Sequence, residues 1–383
     1  MNQEVQMRQP SRLVMLAALC LCSVIVGAAA SPWTKKFEGS NYGAFFDAAL
    51  TPDGNVVVVG ATNHLHVSPY SGDSLLMKLT LDGDIIWEQS WGGDGYEQAW
   101  AVASVPSDGF LIFGETDSFG AGDRDFFLLK VSDEGIEQWV KMYGGAHREW
   151  PYGMLPLSNG DFLLHGFTTV ESGSRRQYAV RVSAQGDPLW EYVAGDAGEE
   201  IILDALETAT GEIILCLSVD EDGGIAKLDA NGNVLWTRRY ELAGWQFSSA
   251  IASTGDGGFL LAGFSMSEGA RRQVDTWLVR CDASGEIQWE TSFGDPTCDD
   301  YAQVLLRLED GTYLVGGLGI GMPLSRIDSN GNVLSSQLLT GSHICAVKAL
   351  LALEDGSFLA VGMIQIRSGR SYDAIVLRAD MDG

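Results

Sequence analysis

Residues 91–145 read WGGDGYEQAWAVASVPSDGFLIFGETDSFGAGDRDFFLLKVSDEGIEQWVKMYGG. Trp100–Val105 is a short apolar run closed by Pro106-Ser107-Asp108-Gly109, a turn by composition. Phe110–Phe113 is a second run, ended by Gly114, and a polar, Gly-rich stretch follows from Glu115 to Asp123. Phe126–Val131 makes a third run, Ser132–Gly135 the next turn, and Ile136–Tyr143 a fourth run stopped by Gly144-Gly145. Four short runs punctuated by turns predict one antiparallel four-stranded sheet. No apolar period of three to four residues competes with it, so no helix is expected.

The same pattern recurs along the chain. A Gly closes the second strand at Gly60, Gly114, Gly166, Gly263, Gly317 and Gly362, with Leu217 in the fourth copy, at intervals of 45 to 54 residues. A Trp follows the last turn at Trp87, Trp139, Trp190, Trp236 and Trp289, and Ser335 takes that slot once. The seventh copy stops at Asp382-Gly383, before its Trp. Ser31-Pro32-Trp33-Thr34 supplies the missing piece at the other end. Four-strand repeats of this length are propeller blades, and a blade shared between the termini closes a ring. The fold expected is all-β: a seven-bladed β-propeller over 31–383, closed by the N-terminal strand. The recurrent Trp is expected to fill the wedge between neighbouring sheets. The recurrent Gly is expected to meet a need for positive φ or close backbone approach.

The stretch from Trp91 resembles the β-propeller repeat of secreted bacterial and archaeal proteins, with its GG-x-x-[YD]-[DE]-x-A, DG-[FY]-[LI]-x-x-G-x-T and G-x-[IV]-x-W elements. That resemblance implies extracellular or surface placement and no common activity. The stretch from Lys227 to Trp236 resembles the tryptophan-docking motif of quinoprotein-type propellers, but only in its turn and Trp. The adjacent cysteine pair often found at their cofactor site is absent.

Arg8 and Arg12 precede an apolar run from Leu13 to Val26 and then Gly27-Ala28-Ala29-Ala30. This reads as a signal peptide over 1–30 cleaved before Ser31, the rival being an uncleaved anchor. A secreted or cell-surface location is therefore expected, without integral membrane contact after cleavage. Lys and Arg number 24 against 51 Asp and Glu, a net charge of −27. A nucleic-acid partner would need a basic surface and is not expected. Cys216, Cys281, Cys298 and Cys345 lack metal-type spacing. Export permits a Cys281–Cys298 disulfide, while their place in or beside strands favours buried thiols.

Aligning the first strands on their closing turns gives the column Gly43, Glu97, Glu149, Glu200, Gln246, Asp300 and Cys345. Its carboxylates Glu97, Glu149, Glu200 and Asp300 are candidates to hold Ca²⁺ or another hard cation, or to accept hydrogen bonds from adjacent Gly-rich loops and lock blade to blade. Residues that break the repeat are candidates for a ligand: Trp100, Trp150, Tyr152 and Trp245, beside the loop pairs Arg175-Arg176 and Arg271-Arg272. His64 and His66 form a lone His-x-His. Asp229–Asn233 and Asp328–Asn332 start like calcium loops but lack the distal Glu and are expected to be Asn-Gly hairpin turns. Without a recognisable catalytic set, a monomeric binding scaffold for a protein or glycan is expected. The alternative is an extracellular hydrolase or lyase at the channel mouth, using the four carboxylates and a divalent cation.

Overall fold

The structure, a computed structural model, describes residues 32–38, 43–62, 72–106, 108–195, 198–220, 222–240, 244–266, 274–295, 298–341, 343–365 and 372–380. Residues 1–30, expected to be a leader, and His64, His66, Arg271 and Arg272 lie outside the described residues. Among those described there are only strands and connections, and they build a seven-bladed β-propeller. Each blade is an antiparallel meander running outward from the axis. Blade 2 is typical: Glu97–Ser104 is innermost, then Phe110–Thr116, Asp125–Val131 and Glu137–Tyr143. Blade 7 takes Ile344–Ala352, Ser357–Gln365 and Tyr372–Asp380 from the end of the chain, and Trp33–Phe37 completes it with the register Trp33↔Arg378 to Phe37↔Ala374. The ring closure expected from the split repeat is therefore present.

Burial explains the sequence pattern. Middle strands such as Phe110–Thr116 and Asp125–Val131 are buried throughout because both faces meet neighbouring blades, so they read as unbroken apolar runs. Outer strands such as Ile85–Trp91 are largely exposed. The core is thus a set of wedges between blades: one cluster joins Val57, Val59 and Leu76 of blade 1 to Phe110, Ile112 and Phe127 of blade 2.

The recurrent Gly serves close approach, not positive φ. Every innermost strand carries a register shift at one place, as between Ala99 and Ala101 or between Ala302 and Val304. A Cβ on Gly114 would strike the carbonyl oxygen of Gln98, and one on Gly317 that of Tyr301. The bulge crowds its partner strand, and only a residue without a side chain fits easily.

The recurrent Trp packs, partly buried, against the clusters between blades, as expected of it, and it also covers a turn. Each ring lies over the turn glycine of the next blade: Trp33 on Gly83, Trp87 on Gly135, Trp139 on Gly186, Trp190 on Gly232, Trp236 on Gly285 and Trp289 on Gly331. Trp33 Nε1 donates to Leu81 O at 3.1 Å and Trp87 Nε1 to Asp133 O at 2.9 Å. The turns need positive φ, +79° at Gly83 and +77° at Gly135, so Gly serves both the backbone and the docked ring. Ser335 leaves blade 6 without this contact to blade 7.

Candidate functional site

The bulge that demands glycine also lines the axis. It projects one residue per blade into the central channel: Phe46, Trp100, Tyr152, Leu203, Ser249, Gln303 and Lys348. They surround a cavity of about 290 Å³ together with Asp47 and Asp204. An innermost strand has a free edge, and its edge N–H groups need acceptors. Asp47 Oδ2 accepts from Val102 N of the next blade at 2.9 Å, and Asp204 Oδ2 from Ile251 N at 2.9 Å.

Burial raises Asp47 from 3.8 to about 7 against the pull of its backbone hydrogen bonds, and the Asp204 charge adds a smaller push. Burial raises Asp204 to about 6. Both carboxyls hold protons more tightly in the fold than in the open chain. Their stabilisation is complete below the unfolded value of 3.8 and is lost as pH rises through 6 to 7. The shift of Asp47 corresponds to at most about 4 kcal/mol, and its partial exposure brings the expected effect to about 2 kcal/mol. The expected result is that the stability difference between Asp47→Asn and wild type, followed by urea denaturation, shifts in favour of the variant by about that amount from pH 4 to pH 8. A difference that stays flat over this range would show that Asp47 remains ionised throughout.

Above the channel, over blades 2 and 3, aromatic rings and arginines interleave. Trp100 packs on Phe46 at 5.0 Å between centroids, on Trp150 at 5.9 Å and on Tyr152 at 6.1 Å. Phe167 stacks on Trp150 at 6.3 Å. The Arg148 guanidinium lies 4.4 Å over Trp150, Arg124 lies 4.6 Å over Tyr96, and Arg175 lies 5.2 Å over Phe167. Arg124 Nη1 is paired with the fully buried Glu115 at 3.1 Å, and Arg175 with Glu199 at 3.1 Å. Arg148 has no ion pair among the described residues, and its buried Nε lacks a hydrogen-bond acceptor. Burial, followed by the charge of Arg124, lowers the proton affinity of Arg148, while Glu115 and Asp123 oppose this. An anion here would meet a half-buried cation already held flat against an indole.

Three of the expected ligand aromatics, Trp100, Trp150 and Tyr152, therefore meet in one cluster. Trp245 stands apart on blade 5, exposed at the start of Trp245–Ser253. The acidic column lies at corresponding places in blades 2, 3, 4 and 6, and its oxygens accept hydrogen bonds from adjacent loops and strands. Glu97 accepts from Gly93 N at 2.7 Å and Thr116 Oγ1 at 2.7 Å. Glu149 accepts from Thr168 Oγ1 at 2.6 Å and Gly145 N at 3.3 Å, and burial pushes it up to about 7. Glu200 accepts from Gln177 Nε2 at 2.7 Å, and Asp300 from Asp295 N at 2.6 Å. Among the described residues no three His, Cys, Asp or Glu side chains converge as a metal-ligating group. Asp229 and Asp328 cap their own hairpins: each accepts backbone N–H bonds from the Asn residues two and four positions on, at 2.8 to 2.9 Å. Among the described residues, Cys216, Cys281, Cys298 and Cys345 form no disulfide, so the Cys281–Cys298 bridge is not formed.

Arg124, Arg148, Glu115, Tyr96 and Phe167 were not singled out by sequence. The available signal was faint: Arg124 and Arg148 each stand immediately before a strand-opening acidic residue, Asp125 and Glu149.

No protein-family model matches this chain, and no curated protein matches its sequence. Similar solved structures are propellers. The WD40 domain of Pan2 from Neurospora crassa is 11% identical, covering 88% of this chain and 89% of that one at a TM-score of 0.55. The Dos1 propeller is 10% identical, covering 90% and 95% at 0.55. YCF48, solved bound to D1 peptide, is 13% identical, covering 92% and 96% at 0.54. At such identities the likeness establishes the β-propeller fold.

Proposed function

We propose that this propeller is a binding scaffold that captures an acidic protein segment in the aromatic–arginine funnel over blades 2 and 3. The observation that carries this is Arg148, stacked on Trp150 and without an ion-pair partner among the described residues of a chain whose net charge is −27. A guanidinium so placed offers a fork of donors to a carboxylate, and desolvation strengthens the pairing. Trp100, Trp150 and Tyr152 supply stiff apolar walls for the segment's other side chains. The likeness to YCF48 supports a peptide as occupant, since that propeller was solved with one. What supports an extracytoplasmic setting is the leader read in residues 1–30, so the partner is sought among exported or surface proteins.

Titration of an eight-residue Glu-rich peptide, followed by intrinsic Trp fluorescence, tests the proposal. Binding is expected, with Arg148→Ala weakening it about tenfold or more, the worth of one charge-assisted hydrogen bond. Trp150→Ala should weaken it comparably. A Lys-rich peptide binding equally well, or an Arg148→Ala variant with unchanged affinity, would sink the proposal. Tighter binding of an oligogalacturonate than of the peptide would reassign the funnel to acidic glycans.

A further inference from the structure

The wedge between blades 5 and 6 differs from the others, and the difference can be read against the wedge between blades 1 and 2. There Trp91 packs tilted on Phe127 at 4.6 Å, and Leu129, Val140 and Met142 complete the packing. By register, blade 6 puts Pro323 where blade 2 has Phe127, Ser325 where it has Leu129, and Ser336 where it has Val140. The two serines bond each other, Oγ to Oγ, at 2.9 Å. A cavity of about 650 Å³ remains, walled by Phe293, Tyr301, Val315, Ile320, Leu324 and Leu338. Tightly packed interiors do not leave voids of this size, which is in the range of small-molecule sites.

The backbone is arranged to keep the cavity open. In blade 2 the second and third strands stay paired to Thr116↔Asp125. In blade 6 their last pair is Gly316↔Leu324, and Leu318–Ile320 instead pairs with Ile344–Ala346 of blade 7. The chain turns back through Gly321 at φ +77° and Met322 at φ +60°, a conformation unfavourable for a residue with a side chain. Met322 is fully buried, and its carbonyl accepts from Leu339 N at 3.2 Å. Strain held in place by packing is a mark of a functional site.

One end of the cavity is acidic. Asp295 and Asp300 line it, no Lys or Arg is among the described lining residues, and Asp275 and Asp300 approach each other across Gly294. We propose that this cavity binds a small molecule with an apolar body and a protonated amine, the amine seated at Asp300. Burial, together with the charges of Asp295, Asp275 and Asp299, raises the Asp300 carboxyl, a repulsion that a bound cation would relieve.

Calorimetric titration of the whole protein with decylammonium, decanol and decanoate tests this. Decylammonium is expected to bind at least about tenfold more tightly than decanoate, with decanol between them. Asp300→Asn, which keeps an acceptor for Asp295 N, should abolish the preference while leaving decanol unchanged. Ser325→Leu with Ser336→Val fills the space as blade 2 does and should remove binding of all three. Arg148→Ala should alter none of them, so this site succeeds or fails separately from the funnel. Failure of decylammonium to bind, equal affinity for decanoate, or retained binding in the filled variant would overturn the proposal. The Asp300→Asn comparison decides the matter even where the filled variant does not fold.

Discussion

Removing residues 32–38 is expected to lower stability by at least about 5 kcal/mol, a fall in melting temperature of roughly 10 °C or more. Trp33–Phe37 is the outer strand of blade 7 and precedes the first strand of blade 1 in the chain. Phe37 is buried edge-to-face on Phe45 at 5.3 Å, in a cluster that includes Val58 and Met77 of blade 1 and Val361 and Val376 of blade 7. Losing a buried Phe costs about 3–5 kcal/mol. Loss of the docked Trp33 ring adds about 2 kcal/mol. Tyr372–Asp380 would then become an unpaired edge, so the truncated protein should also associate in a concentration-dependent way. A synthetic peptide spanning 32–38 should restore part of the melting temperature when added in trans. A truncated protein that melts within roughly 2 °C of the full one, as a monomer, would mean that the ring is held by the remaining wedges alone.

Arg124→Ala should cost about 3 kcal/mol, more than the deletion of an ordinary surface arginine. Glu115 is fully buried and Arg124 Nη1 is its ion-pair partner at 3.1 Å. Burial raises the Glu115 carboxyl, and Arg124 and then Arg148 oppose the rise. Without Arg124 the carboxylate must either remain charged with Arg148 as its remaining counter-charge or take up a proton. The double variant Arg124→Ala/Glu115→Gln should therefore recover most of the loss. The sign with pH follows from the same argument. A carboxyl whose folded value is raised stabilises in its protonated form, so the deficit of Arg124→Ala should shrink as pH falls and grow as pH rises. Urea denaturation of the two variants at pH 5 and pH 8 measures both effects. A double variant no more stable than the single one would show that the arginine acts through its stacking on Tyr96 and not through Glu115.

How much of this was open to a reader of the sequence depends on repetition. Seven copies of a weak pattern add up. The blade count, the strand order and the exchange of Trp33–Phe37 into the last blade follow from spacing alone. The recurrent Gly and Trp were recognisable as structural for the same reason. Their contacts were not: whether Gly114 needs positive φ or close approach depends on a bulge at Ala99–Ala101 that leaves no mark in apolar alternation. The repeated carboxylates Glu97 and Glu149 were found as a column, and their local hydrogen bonds match the blade-locking alternative considered for them.

The features that distinguish this propeller from a generic one are those that break the repeat. The amino-acid sequence determined the ring, because each strand's burial depends on neighbours at a fixed offset along the chain. Tertiary structure alone decided that Trp100, Trp150 and Tyr152 meet Arg124 and Arg148 while Trp245 does not. It also decided that Ser325 and Ser336 face Phe293 across an unfilled wedge. Such encounters depend on strand register and on the path of the Gly321–Met322 turn. A register shift of one residue reverses which face a side chain occupies. Local pattern therefore carries the architecture, and the register between strands carries the site.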